Sequence, residues 1–184
     1  VPLARLAALV MVGKSLDELG VTDEVVPTHY SIKESVFPFS KFPGVEYLLG
    51  PEMKSTGEVM GIAERFDEAF EKAQAAASNR LPESGTVFLS VRDADKDGAL
   101  EVARLLVGAG YEIMATRGTH AHLAAHGVAS RFVKKVKEGR PHVVDAIING
   151  EVRLVMNTTI GRQSIRDSHS IRHETVRAGI PYFT

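Results

Sequence analysis

A chain of 184 residues, 44% apolar and 24% charged, holds enough material for one sizeable core and something beyond it. Its 22 basic and 23 acidic residues leave a net charge of −1, which argues against a general nucleic-acid or membrane-surface binder. The absence of cysteine excludes disulfides, thiolate metal sites and cysteine nucleophiles. No apolar run reaches the roughly 18 residues of a membrane span, so a cytoplasmic protein is expected. The chain opens on Val1-Pro2 without a methionine and stops at Thr184, as a fragment would.

Residues 3–12 (LARLAALVMV) are helical by composition, and Ser15 caps a short helical turn, SLDEL, that stops at Gly20. Between Pro27 and Pro51, prolines, glycines and scattered aromatics (Tyr30, Phe37, Phe39, Phe42, Tyr47) mark irregular structure with one or two short strands. The alternation of Tyr30, Ile32, Glu34 and Val36 predicts one of them. Residues 65–77 form a helix with Phe66, Phe70 and Ala73 on one face. The polar stretch 78–85 (SNRLPESG) then reads as a boundary, with a linker over 79–85.

Beyond it, short apolar runs alternate with helical patterns. Strands are expected at 87–90, 112–115, 131–136, 153–156 and from 181. Helices are expected at 97–107, 119–126, 141–149 and 164–178. The apolar set of the first of these helices is Leu100, Val102, Ala103, Leu105 and Leu106. Strands alternating with helices predict a five-stranded parallel sheet with helices on both faces, an α/β fold.

Parallel sheets bind ligands outside the carboxyl ends of their strands. The first predicted strand ends in Ser90, Arg92 and Asp93, with Lys96 close behind. The second ends in Thr116, Gly118 and Thr119, the third carries Lys134 and Lys135, and the fourth ends in Asn157, Thr158 and Thr159. Any one hydroxyl or amide there reads as an ordinary helix cap. Their coincidence at four strand ends, with lysines and a helix opening at Gly118, points to a phosphate or carboxylate site. Strand alternation would send Lys134 and Lys135 to opposite faces.

Several patterns are decoys. Asp93, Asp95, Asp97 and Gly98 copy half a calcium loop, but its twelfth position is Arg104. His120, His122 and His126 lack a further ligand at zinc spacing. No metal site and no catalytic residue are assigned.

The segments at 89–96 (LSVRDADK), 115–119 (ATRGT), 133–151 (VKKVKEGRPHVVDAIINGE) and 156–162 (MNTTIGR) resemble the methylglyoxal-synthase-like domain. The segment 37–62 (FPFSKFPGVEYLLGPEMKSTGEVMGI) resembles the end of the second ATP-grasp unit of the carbamoyl-phosphate synthetase large subunit, which leads into that domain in the same order. The resemblance implies a C-terminal fragment of such a subunit. Residues 1–78 would be an α+β remnant of the ATP-grasp unit and residues 86–184 an allosteric domain.

The whole enzyme, a ligase, would make carbamoyl phosphate from bicarbonate, ammonia and two ATP, for arginine and pyrimidine synthesis. It would use Mg2+ or Mn2+ and K+, and a glutaminase small subunit would supply the ammonia. The fragment itself would hold no cofactor and be non-catalytic. Its partners would be the rest of the large subunit and a small-molecule effector, with no nucleic acid or membrane and with self-association open.

Uridine monophosphate would inhibit, inosine monophosphate would share its site, and ornithine would activate from another. The family's phosphate contacts fall on Ser90, Lys96, Thr116, Thr119, Lys135, Asn157, Thr159 and Ser168. Glu34 and Thr184 match an ornithine site incompletely, because position 183 is Phe where a bacterial relative would have Asp. The alternative is a methylglyoxal-synthase-type lyase acting on dihydroxyacetone phosphate, which shares Asp93 and Lys96. Its catalytic Gly-Gly-Asp segment would fall at 139–145, where this chain reads GRPHVVD, and Asp145 is expected on a helix away from the site.

Overall fold

A computed structural model describes residues 1–37, 39, 51–159 and 168–184. Helix α1 (Leu3–Met11) is rich in strong helix formers and buries none of its residues fully. After Gly13, the Ser15 N–H donates to Glu18 Oε2 (2.9 Å) and the Glu18 N–H donates to Ser15 Oγ (3.2 Å), the reciprocal pattern of a capping box. The segment closes as a turn at Gly20 (φ 64°) before any regular helix forms, unlike the short helix expected.

Strand β1 (Tyr30–Val36) pairs antiparallel with β2 (Gly57–Ala63), and helix α2 (Phe66–Ala76) lies across them. The residue pattern did not announce β2, because Gly57 and Gly61 weaken a strand reading. Gly61 is there for packing. A Cβ at this position would fall on the Ala69 carbonyl oxygen and 2.6 Å from the Ala73 backbone nitrogen. The helix seats so closely that Ala69, Ala73 and Gln74 are its buried residues. Phe66, expected in this core, is 55% exposed; its ring meets Tyr30 edge-on (5.9 Å) and stacks on Phe70 (6.1 Å). Gly61→Ala should therefore destabilise this unit by about 1–3 kcal/mol through overpacking, read as a lowered urea midpoint. Helix α2 stops at Ser78, whose φ of 69° turns the chain in the left-handed region.

The remaining strands are β3 (Thr86–Ser90), β4 (Glu112–Ala115), β5 (Arg131–Phe132), β6 (Val152–Asn157) and β7 (Tyr182–Phe183). They form one parallel sheet in the order β5-β4-β3-β6-β7. The chain runs outward from β3 to β5, crosses to the far side of β3 as β6, and continues to β7. The strand order reverses between β3 and β6, the place where such sheets bind ligands. Helices α3 (Lys96–Gly108) and α4 (Arg117–Ala125) cover one face, packing on Val87, Leu89, Ile113, Ala115 and Leu154. Helices α5 (Val143–Ile148) and α6 (His169–Arg177) cover the other, on Phe88, Met114, Val152 and Val155. Successive residues of β3 and β4 thus feed opposite cores, as strand geometry requires.

Three sequence expectations need correction. In α3 the buried stripe is Ala99, Leu100 and Ala103, while Leu105 is 75% exposed. At 100° per residue Leu105 lies on the side of the helix away from that stripe. The strand expected at 131–136 ends at Phe132. The Val133 N–H still donates to Ala115 O (2.9 Å), and Lys134 bridges His142, but the chain then closes into a 3-10 turn, Val136–Glu138. The Lys135 N–H donates to Glu138 Oε2 (2.9 Å) across that turn, so strand alternation does not govern Lys135. Helix α5 is also shorter than expected, beginning after Pro141. Phe42, Tyr47, residues 160–162 of the last family segment and the expected helix start at 164–167 lie outside the described residues. Among the described residues no helix is long and apolar enough to cross a membrane.

Candidate anion-binding site

At the carboxyl edge of the sheet, where β3 and β6 meet the openings of α3 and α4, lies a cavity of about 550 Å³. All eight residues selected for phosphate contact line it: Ser90, Lys96, Thr116, Thr119, Lys135, Asn157, Thr159 and Ser168. Thr116, Thr119, Asn157 and Ser168 are buried, and buried polar groups require partners.

Those partners are not helix caps. Thr116 and Ser168 precede α4 and α6, yet neither side chain makes a capping bond. The Thr116 hydroxyl instead donates to Ser90 Oγ (3.1 Å), which leaves the Ser90 proton available for a ligand. Thr119 Oγ1 accepts from the Val91 N–H (3.2 Å), so its own proton is likewise available. Asn157 Nδ2 donates to the Tyr182 hydroxyl (3.2 Å), which fixes the amide plane. Two of the hydroxyls are therefore set as donors, the arrangement an acceptor-only anion requires.

The cations sit around these donors. Lys96 is in the first turn of α3, with its side chain 21% exposed, and its ammonium lies over Gly118 in the first turn of α4. A Cβ on Gly118 would stand 3.5 Å from Lys96 Nζ. The free N–H groups of that turn carry partial positive charge, which favours an anion between them and the lysine. Lys135 stands exposed on the rim. Asp93 contacts Lys96 at 2.8 Å, and its carboxyl is held below the usual carboxylate range by that bond and by the Lys96 charge, with Lys135 adding a smaller pull. A carboxyl so depressed keeps its attraction to Lys96 above the ordinary carboxylate range and loses it as pH falls through the lowered value.

Three strand-end residues that line the cavity, Arg92, Asp93 and Thr158, are not among the eight phosphate contacts. Thr158 Oγ1 accepts from the Arg92 N–H (3.1 Å), and Arg92 pairs with Asp95 (2.7 Å), which ties the loop before Lys96 to the end of β6. Arg92 first and Thr158 second hold the Asp95 carboxyl below its usual range.

The remaining candidates lie elsewhere. Glu34 on β1 accepts from Gln74 Nε2 (2.9 Å), Thr184 follows β7, and neither lines the cavity. Lys134 donates to Arg140 O (3.3 Å) and lines a separate cavity of about 290 Å³. Asp145 lines that second cavity too, paired with His142 and Arg140, and is absent from the lining of the first.

Residues 98–184 match the family model described as the MGS-like domain. This part of the chain is similar to MGS-like domains. The matched span begins inside α3, although the central strand β3 of the same sheet lies before it. Over its whole length the chain is similar to the carbamoyl phosphate synthase large chain of Myxococcus xanthus, with 53% identity over 184 residues, 100% of this chain and 17% of that one. It is 59% identical over 175 residues to that of Pseudomonas putida, 95% of this chain and 16% of the relative. With that of Ralstonia nicotianae the figures are 55% over 185 residues, 100% and 17%. The chain is thus homologous to the C-terminal region of these ligase large chains and spans about 17% of their length. The MGS-like fold anticipated from the four segments is the one observed.

Proposed function

We propose that this chain is the regulatory end of a carbamoyl phosphate synthase large chain, and that its MGS-like domain binds nucleoside monophosphate effectors through their phosphate. One observation carries the reading. Eight hydroxyl, amide and ammonium side chains, drawn from strand ends and from the openings of helical segments, line a single cavity at the point where the strand order reverses. Uridine and inosine monophosphates are the effectors proposed, acting on a synthase that uses glutamine-derived ammonia, bicarbonate and ATP. Calorimetric titration of the chain with both nucleotides should give saturable binding, and uridine should bind far more weakly than its monophosphate. Equal affinity for uridine and uridine monophosphate would remove the phosphate from the reading. Release of phosphate from dihydroxyacetone phosphate would replace regulation by lyase chemistry. The position of Asp145 in the other cavity speaks against that outcome.

The same reading divides the chain into an ATP-grasp remnant at 1–78 and an allosteric domain at 86–184, joined by 79–85. The Tyr111 hydroxyl donates to the Pro82 carbonyl, so the later part of the joint is held against the second unit. Brief trypsin treatment should therefore cleave first after exposed Arg80. A first cut inside 112–157 would contradict the division.

A further inference from the structure

Asp93 stands at the mouth of the cavity. Its carboxylate lies 2.8 Å from Lys96 Nζ, although the Asp93 side chain is 95% exposed. Exposed ion pairs gain little, because water competes and rotamer freedom is lost. What favours this one is the cation's setting. The Lys96 ammonium is partly buried, lies over the first turn of α4, and has Lys135 on the same rim. The other nearby carboxylates are engaged: Asp95 with Arg92 (2.7 Å) and Glu138 with the Lys135 N–H (2.9 Å). Asp93 thus supplies the negative charge at the place where the helix turn and the lysine favour an anion.

We infer that Asp93 is an exchangeable counterion of the anion site, holding the Lys96 ammonium until a phosphate monoester displaces it. The inference rests on the function proposed above and adds a residue that weakens binding. A ligand that takes Lys96 must first break its pair with Asp93, and the displaced carboxylate then repels the phosphate from the cavity mouth. Its exposure lets it swing into water at little cost.

Titration of the whole 184-residue chain with inorganic phosphate and with uridine monophosphate tests this. Asp93→Asn should tighten both by about two- to fivefold, the range of an exposed ion pair. Asp93→Glu, which keeps the charge, should return the wild-type affinity. Asp97→Asn removes an equal charge from the first turn of α3, where Asp97 faces His122 at 3.4 Å. It should change affinity by less than about 1.5-fold, as a surface substitution does. Unchanged or weaker binding in Asp93→Asn would overturn the inference, and so would equal tightening in Asp97→Asn. Failure of the wild-type chain to bind either probe would instead overturn the anion site itself.

Discussion

Phe88→Ala should cost the parallel sheet about 3–5 kcal/mol, the range for removing a buried aromatic ring from a packed core. Phe88 is fully buried in the middle of β3, with β4 on one side and β6 on the other. It sits in the cluster of Met114, Val155, Ile147 and Ile171, so its ring joins the central strand to both covering helices of that face. Those neighbours are held by the sheet and by the rest of the same buried cluster, which limits their collapse into the space left behind. Phe88→Leu, which keeps most of the volume, should lose less than about 1.5 kcal/mol. Urea unfolding of the two variants and the wild type measures the difference. A loss under about 1 kcal/mol for Phe88→Ala would mean that the two faces of the sheet are not packed as described.

The sheet was legible in the sequence because its strands are short apolar runs between helices stopped by glycine, and each run could be read without its neighbours. Its register and the reversal between β3 and β6 depend on contacts between distant segments that no local pattern carries. The lapses share a physical cause. Apolar character alone predicts Phe66 and Leu105 inside, but alanines at Ala69, Ala73, Ala99 and Ala103 fill the buried stripes and leave the large side chains outside. Strand β2 was obscured by Gly61, a residue poor for a strand and required by the helix above it. The cavity lining was legible because the end of a parallel strand is a position in the chain, and hydroxyls recurred at successive ends. Which hydroxyls donate and which accept was not legible. That depends on pairs such as Thr116 with Ser90 and Val91 with Thr119, which only the folded sheet brings together.

Lys96→Ala should weaken the binding of uridine monophosphate by about 1.5–3 kcal/mol, the range for a hydrogen bond to a charged group. That corresponds to roughly a ten- to hundredfold rise in Kd. Lys96 is the least exposed of the three lysines lining the cavity, and its ammonium lies over the first turn of α4, where charge is least screened by water. Its removal also leaves Asp93 unpaired at the mouth, where the carboxylate repels a phosphate. Lys135 lies on the exposed rim, so Lys135→Ala should cost about 1 kcal/mol or less and should lose its effect at high salt. Lys134 faces the second cavity and bonds to the Arg140 carbonyl, so Lys134→Ala should fall within about 0.5 kcal/mol of wild type. Calorimetry on the three variants, with uridine as the ligand that lacks phosphate, resolves the order. The Lys96 effect should nearly vanish for uridine. Three equal losses would mean that the nucleotide is held by a diffuse basic rim, without the hydroxyl donors that Ser90 and Thr119 provide.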